Sequence, residues 1–282
     1  MILYQSCSTV DDALGHDNNN TSYEPLTPIR ISYGSDALQF GELWMPESTD
    51  KATVIMLIHG GCWLSQFDYT LMDSMALDLS ERGYAVWNIE YRRTEDPGGR
   101  WPGTFLDVAS GLKFIEELSS QLPLKSDEII LSGHSAGGHL ALWLAAHQQL
   151  DSTLDIYLDE LPEIKGVVSL AGITDLETYT SPSGCGSNVV NLIGGSVDEF
   201  PERYDIASPI KLLPLDVPQI LINGEADNIV PLSHINPYLQ QAKSQGEDIQ
   251  LKIIPNAGHF EVITPGSVAW SDIISSFEEL AN

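Results

Sequence analysis

An α/β fold, with a mostly parallel eight-stranded sheet and helices on both faces, is predicted by three observations. Short apolar runs ending in glycine or turn residues recur along the chain, as strands buried on both faces do. Segments with helical apolar spacing separate them, so strand and helix alternate. The chain has 282 residues, 43% of them hydrophobic, enough for one large core of this kind.

Residues 1–28 are rich in Asp, Asn, Ser and Thr and read as a flexible lead-in. Asp11, Asp12, His16 and Asp17 within it match no calcium-loop or zinc spacing. "IRISYG" (29–34) and "LQFGELWMP" (38–46) read as two early strands near a sheet edge, antiparallel to each other. "ATVIMLIHG" (52–60) is an unbroken apolar run ending in glycine, the pattern of a central strand. Leu71, Met72, Met75, Ala76 and Leu79 form one stripe of a helix over 69–82. "YAVWNIEY" (84–91) is the next strand, and Val108, Ala109, Leu112, Ile115 and Leu118 mark the next helix. "DEIILSG" (127–133) is a strand, and "GHLALWLAAHQQL" (138–150) is a helix apolar nearly all round, hence buried.

"GVVSLAG" (166–172), "QILING" (219–224) and "IQLKIIP" (249–255) complete the strands. Helical patterns at 233–245 and 267–280 separate and follow the last two. Residues 173–215 hold several Pro, Gly and Ser and no strand pattern. They are expected to form a short lid-like insertion over the C-terminal edge of the sheet, within a single domain spanning 29–282.

Charge excludes some functions. Forty acidic residues against 13 Lys and Arg leave a net charge of −27, which repels nucleic acid and anionic membranes. No apolar run approaches the roughly 18 residues of a membrane span. The three cysteines, Cys7, Cys62 and Cys185, show no C-x-x-C spacing and do not make a disulfide scaffold in a chain of this size. The N-terminus lacks a charged and apolar leader pattern. A cytoplasmic location is therefore expected, or a periplasmic or lipid-anchored one if a signal segment precedes the chain.

The chemistry centres on "LSGHSAGGH" (131–139). Gly133, Ser135 and Gly137 form G-x-S-x-G between a buried strand and a buried helix, the context in which a sharp turn presents a nucleophilic serine. A serine hydroxyl needs a base. Of seven histidines, His259 in "IIPNAGHFEV" follows the last strand on a loop and fits that role. His134 adjoins the serine with its ring expected to point away, His139 and His147 lie on the buried helix, and His234 begins a helix. A carboxylate must orient the imidazole. "LINGEADNIVP" offers Asp227, with Glu225 as the alternative. Backbone N–H groups of Gly61 and Cys62 in "IHGGCW", with that of Ala136, are the expected oxyanion donors. Cys62 is expected to line the acyl pocket or pack. Trp63 and Phe260 are candidate pocket walls, each equally readable as core. Asp107, with Tyr91 and Arg92, is expected to form a buried support network or, more plainly, to start a helix.

"HGGCW", "GHSAGGHLA", "GEADNIVP" and "AGHF" together resemble the α/β-hydrolase superfamily over about residues 30–280. The similarity is to esterases related to hormone-sensitive lipase, to kynurenine formamidase, and to bifunctional feruloyl/acetyl-xylan esterases. Cys62 stands where kynurenine formamidases have tyrosine. "IEYRRTEDPGGRWPGTFLDV" (89–108) resembles the segment that supports the oxyanion loop in these branches. The resemblance implies a serine carboxylesterase acting on small to medium acyl esters through an acyl-enzyme. The alternative is an arylformamidase. No cofactor or metal is expected, and the expected partners are a small-molecule ester and at most a second copy of the chain, as a homodimer.

Overall fold

The computed structural model describes Val10 and residues 25–48, 50–179 and 184–282. The lead-in expected at 1–28 and the acidic cluster at 11–17 lie almost wholly outside them. Eight strands form one sheet: β1 (Ile29–Ser32), β2 (Phe40–Trp44), β3 (Ala52–Ile58), β4 (Ala85–Ile89), β5 (Leu124–His134), β6 (Ile164–Leu170), β7 (Gln219–Gly224) and β8 (Ile249–Ile254). Their order is β1-β2-β4-β3-β5-β6-β7-β8. β1 and β2 are antiparallel to each other, β2 is antiparallel to β4, and every later pairing is parallel.

Side chains alternate across this sheet. Val54, Met56 and Ile58 of β3 face one core cluster, while Ile55 and Leu57 face the other. The second cluster is closed by α1 (Asp73–Glu81) and α8 (Trp270–Ala281). The first is closed by α2 (Arg100–Lys113), α3 (Ile115–Gln121), α4 (Ala136–Ala145) and α7 (Leu232–Ser244). Every residue of α4 is buried, as its all-round apolar pattern requires.

Two expectations change here. The single helix read over 108–118 is two helices, and the first begins much earlier, at Arg100. Asp107 therefore sits inside α2 rather than at its start. The described residues of 173–215 hold no strand, as expected, and carry two short helices, α5 (Gly186–Ile193) and α6 (Pro201–Ala207). Residues 180–183 within it lie outside the described residues. The insertion is anchored to α4, where His139 Nε2 donates to the Ala207 carbonyl (2.8 Å) and Trp143 Nε1 donates to that of Ile206 (3.0 Å).

Candidate active site

β3, β5, β7 and β8 run parallel, so the loops after them gather at one edge of the sheet, where open α/β sheets bind ligands. Gly61, Cys62 and Trp63, Ser135, Asp227, and His259 with Phe260 follow these four strands in turn. Ser135 follows β5 with φ 55° and ψ −117°, a conformation that non-glycine residues rarely adopt. The turn is possible because its neighbours lack side chains. A Cβ on Gly137 would lie 2.0 Å from the Ile58 carbonyl oxygen, and one on Gly133 would lie 2.2 Å from that of Gly137. The oxyanion-loop candidate passes directly over this turn: a Cβ on Gly60 would sit 3.2 Å from that of Ser135.

His259 and Asp227 are brought together. His259 Nδ1 donates to Asp227 Oδ2 at 2.7 Å, and both residues are buried. The second oxygen, Oδ1, accepts the N–H groups of Ile229 (2.8 Å) and Val230 (2.9 Å). The loops carrying the pair are themselves joined, because Ala226 N–H donates to Ala257 O (2.9 Å). Glu225, the alternative carboxylate, is exposed and turned away from this pairing. The ring of His134 packs on that of His259 at 4.5 Å, and its Nε2–H donates to the His259 carbonyl (2.9 Å). This contact holds the serine turn against the loop of the expected base. Burial, with His259 beside it, pushes the His134 imidazole down to about 3, so it is neutral and structural.

Gly61, Cys62 and Trp63 all have positive φ, at 107°, 56° and 55°. A support network reads out behind this loop. The Trp63 carbonyl accepts both the N–H and the Oγ1–H of Thr94 at 2.9 Å. Tyr91 Oη donates to the His59 carbonyl (2.9 Å), and the two rings stack at 4.3 Å. His59 Nε2 lies 2.9 Å from Glu90 Oε1, and Arg93 Nη1 donates to Glu90 Oε2 at 3.1 Å. Arg92 binds Asp107 through Nε (2.8 Å) and Nη2 (2.6 Å). Of the expected Tyr91–Arg92–Asp107 support, Arg92 pairs with Asp107 while Tyr91 bonds His59 separately. His59, Glu90 and Arg93 are further members that the sequence reading did not single out, although Glu90 and Arg93 lie in the 89–108 segment that the resemblance marks as supporting this loop.

Two expectations about this loop are corrected. Cys62 is neither a free pocket-lining thiol nor a simple packing residue: it is disulfide-bonded to Cys185, 123 residues away in the chain. Trp63 lines no open pocket, being fully buried with its ring edge-on to His139 at 5.4 Å. Phe260 lies at the surface beside His259. It is half exposed, touches the His259 ring edge-on, and walls a groove of about 540 Å³ that it shares with Leu71, Leu77, Ile263 and Pro265. Among the described residues no group of three or more His, Cys, Asp or Glu side chains could hold a metal ion, and no helix is long and apolar enough to cross a membrane.

The model of the BD-FAE family matches residues 42–240, well over half of the chain. The chain belongs to the BD-FAE family. The match to BD-FAE takes in the H-G-G loop, the serine turn and the Asp227 loop, and ends before His259. LipM, a probable carboxylic ester hydrolase of Mycobacterium tuberculosis, is 26% identical over 243 residues, 78% of this chain and 54% of LipM. The isoprenylcysteine α-carbonyl methylesterase of Arabidopsis thaliana is 22% identical over 255 residues, 82% of this chain and 56% of that one. This BD-FAE chain thus spans little more than half the length of these relatives. Among solved structures, a truncated carbohydrate esterase from gut microbiota superposes with a TM-score of 0.76 at 22% identity, covering 89% of this chain and 95% of that chain. Esterase B from Lactobacillus rhamnosis gives 0.75 at 22% identity, covering 89% and 84%. The architecture is the α/β-hydrolase fold.

Proposed function

We propose that this chain is a serine carboxylesterase of small to medium acyl esters, with Ser135 as nucleophile, His259 as base and Asp227 as orienting carboxylate. The observation that carries the reading is the buried 2.7 Å bond from His259 Nδ1 to Asp227, on a loop tied to a serine in a strained turn. Ser135 attacks the ester carbonyl while His259 takes its proton. The N–H groups of Gly61, Cys62 and Ala136 hold the oxyanion. His259 then passes the proton to the departing alcohol, and water clears the acyl-enzyme with the same imidazole as base. Relatives named as carboxylic ester hydrolase and methylesterase support the ester class. The disulfide favours an oxidising compartment over the expected cytoplasm.

The test is hydrolysis of p-nitrophenyl acetate by the wild type and by Ser135→Ala. The variant should lose several orders of magnitude in kcat, because the three groups act as a unit. A variant that keeps near-normal turnover would sink the assignment. A panel of acyl chain lengths, feruloyl esters and N-formylkynurenine then sets the substrate; strong preference for the formyl-anilide would replace the esterase reading with the arylformamidase one.

A further inference from the structure

The run Gly61–Trp63 holds three successive residues at positive φ, two of them with side chains. Such backbone is unfavourable for non-glycine residues and persists only where surrounding contacts over-determine it. Trp63 has its contacts through Thr94. At Cys62 the side-chain anchor is covalent. Its partner Cys185 is fully buried at the start of α5, with the two Cα atoms 5.0 Å apart.

The anchor continues beyond the sulfurs. The Cys185 N–H donates to Tyr179 Oη (3.3 Å), and Tyr179 Oη–H donates to the Ile229 carbonyl (2.8 Å). Ile229 N–H in turn donates to Asp227 Oδ1 (2.8 Å). Gly184 leaves room for this junction, since a Cβ there would lie 2.1 Å from Tyr179 Oη and 2.8 Å from Ile229 O. One continuous path of short contacts therefore joins the loop of the oxyanion donors to the carboxylate that orients the base. It passes through the insertion.

We infer that Cys62 and Cys185 are positioning residues for the esterase reaction, their disulfide locking the oxyanion loop to the insertion and to the Asp227 loop, so that a folded but slow enzyme results when the bond is reduced. The inference rests on the serine-esterase reading. Reduction by a dithiol cleaves the S–S bond: the dithiol loses two electrons and two protons to become its cyclic disulfide, and Cys62 and Cys185 each gain one hydrogen. The N–H groups of residues 61 and 62 remain, but their placement against the developing oxyanion is no longer fixed. Small misplacements of such donors cost rate without costing ground-state binding.

The experiment compares the oxidised chain, the chain reduced by dithiothreitol and then freed of it, and the reoxidised chain, with Cys185→Ser as an independent route to the unlinked state. Thiol titration counts the two sulfurs released, far-UV circular dichroism reports the fold, and kcat and KM are measured separately on p-nitrophenyl acetate. Reduction should lower kcat about ten- to a hundred-fold, change KM by less than about threefold, and leave the dichroism intact. Reoxidation should restore kcat, and Cys185→Ser should be equally slow and insensitive to dithiol. An unchanged kcat in a chain shown to carry the two extra thiols would overturn the inference. So would free Cys62 and Cys185 in a non-reducing peptide map, or loss of the fold on reduction, which would make the bridge a requirement of folding instead. Ser135→Ala separates the two readings: if it keeps activity the esterase assignment falls, whereas if it is inactive and the reduced chain is fast only the positioning role falls.

Discussion

Asp227 uses both its oxygens, with Oδ2 on His259 Nδ1 and Oδ1 shared by two backbone N–H groups. That arrangement separates it from Glu225, which shares its loop but is exposed. In Asp227→Asn the amide oxygen must stay on the two backbone donors, so the NH2 group faces His259 Nδ1. The imidazole proton is then forced onto Nε2, the nitrogen that has to accept the serine proton. We expect kcat to fall by about 10³–10⁴ with the melting temperature little changed. Glu225→Gln should stay within about twofold. Steady-state kinetics of both variants on an aryl ester check this; near-normal turnover in Asp227→Asn, or collapse in Glu225→Gln, would reverse the assignment. Sequence alone narrowed the carboxylate to two residues because both sit between β7 and Pro231. Burial decides between them, and burial depends on how the β7 and β8 loops touch. The proposed serine and base each carry a local signature in the sequence, the G-x-S-x-G turn and a lone histidine after the last strand.

At the scale of elements, the proposed oxyanion loop is braced from behind by a network that reaches into α2. Asp107, fully buried within α2, accepts from Arg92 N (3.0 Å), Nε (2.8 Å) and Nη2 (2.6 Å), and from Gln39 Nε2 (2.7 Å). Arg92 leads directly into Arg93 and Thr94, which brace Glu90 and Trp63. Removing the buried carboxylate leaves the part-buried Arg92 guanidinium, the Arg92 N–H and the Gln39 amide without their shared acceptor. Asp107→Ala should therefore destabilise by about 3 kcal/mol or more and lower kcat as the loop loosens. Urea midpoints with kinetics on the folded fraction measure both, and wild-type stability in that variant would show the network to be ornamental. The strands were largely legible because each is a short apolar run bounded by turn residues. The start of α2 was not: Pro102 and Gly103 read as loop, and Trp101 indeed interrupts the helix with ψ 131°. β5 begins at Leu124, before its apolar run, because Leu124 and Lys125 pair with Ala52 and Thr53 ahead of a register shift. The disulfide was invisible for a different reason. Two cysteines separated by 123 residues carry no spacing signal, and only the insertion's path brings them together.

Across the whole molecule, burial depresses four imidazoles in a chain of net charge −27. Burial pushes His134 down to about 3 and His139, His147 and His234 down to about 4. Neighbouring His259 adds to the effect at His134, and His234 adds to it at His139. In the unfolded chain such groups titrate near 6.5. The unfolded state then binds protons that the folded state refuses, so stability is fully present above about pH 6.5 and drains away as pH falls toward 4 and below. At pH 5 the two most deeply buried rings, His134 and His139, would each cost about 2 kcal/mol. Asp73, raised to about 6 by burial and by the nearby carboxylates of Glu42 and Asp68, runs the other way, because its neutral form is the one the fold prefers. Glu247, also raised by burial, acts in the same sense, and two partly exposed carboxyls offset only part of four imidazoles. Relief of the acidic surface's self-repulsion sets in near the ordinary carboxylate range, mostly below this window. Urea unfolding at several pH values from 7.5 to 5 should therefore show a steady loss of stability. His139→Phe gives up the bond to Ala207 but also the proton, so it should be weaker at pH 7.5 and fall off less steeply. A wild type equally stable at both ends of the range, or a variant with the wild-type slope, would mean that the buried rings do not set the acid limb.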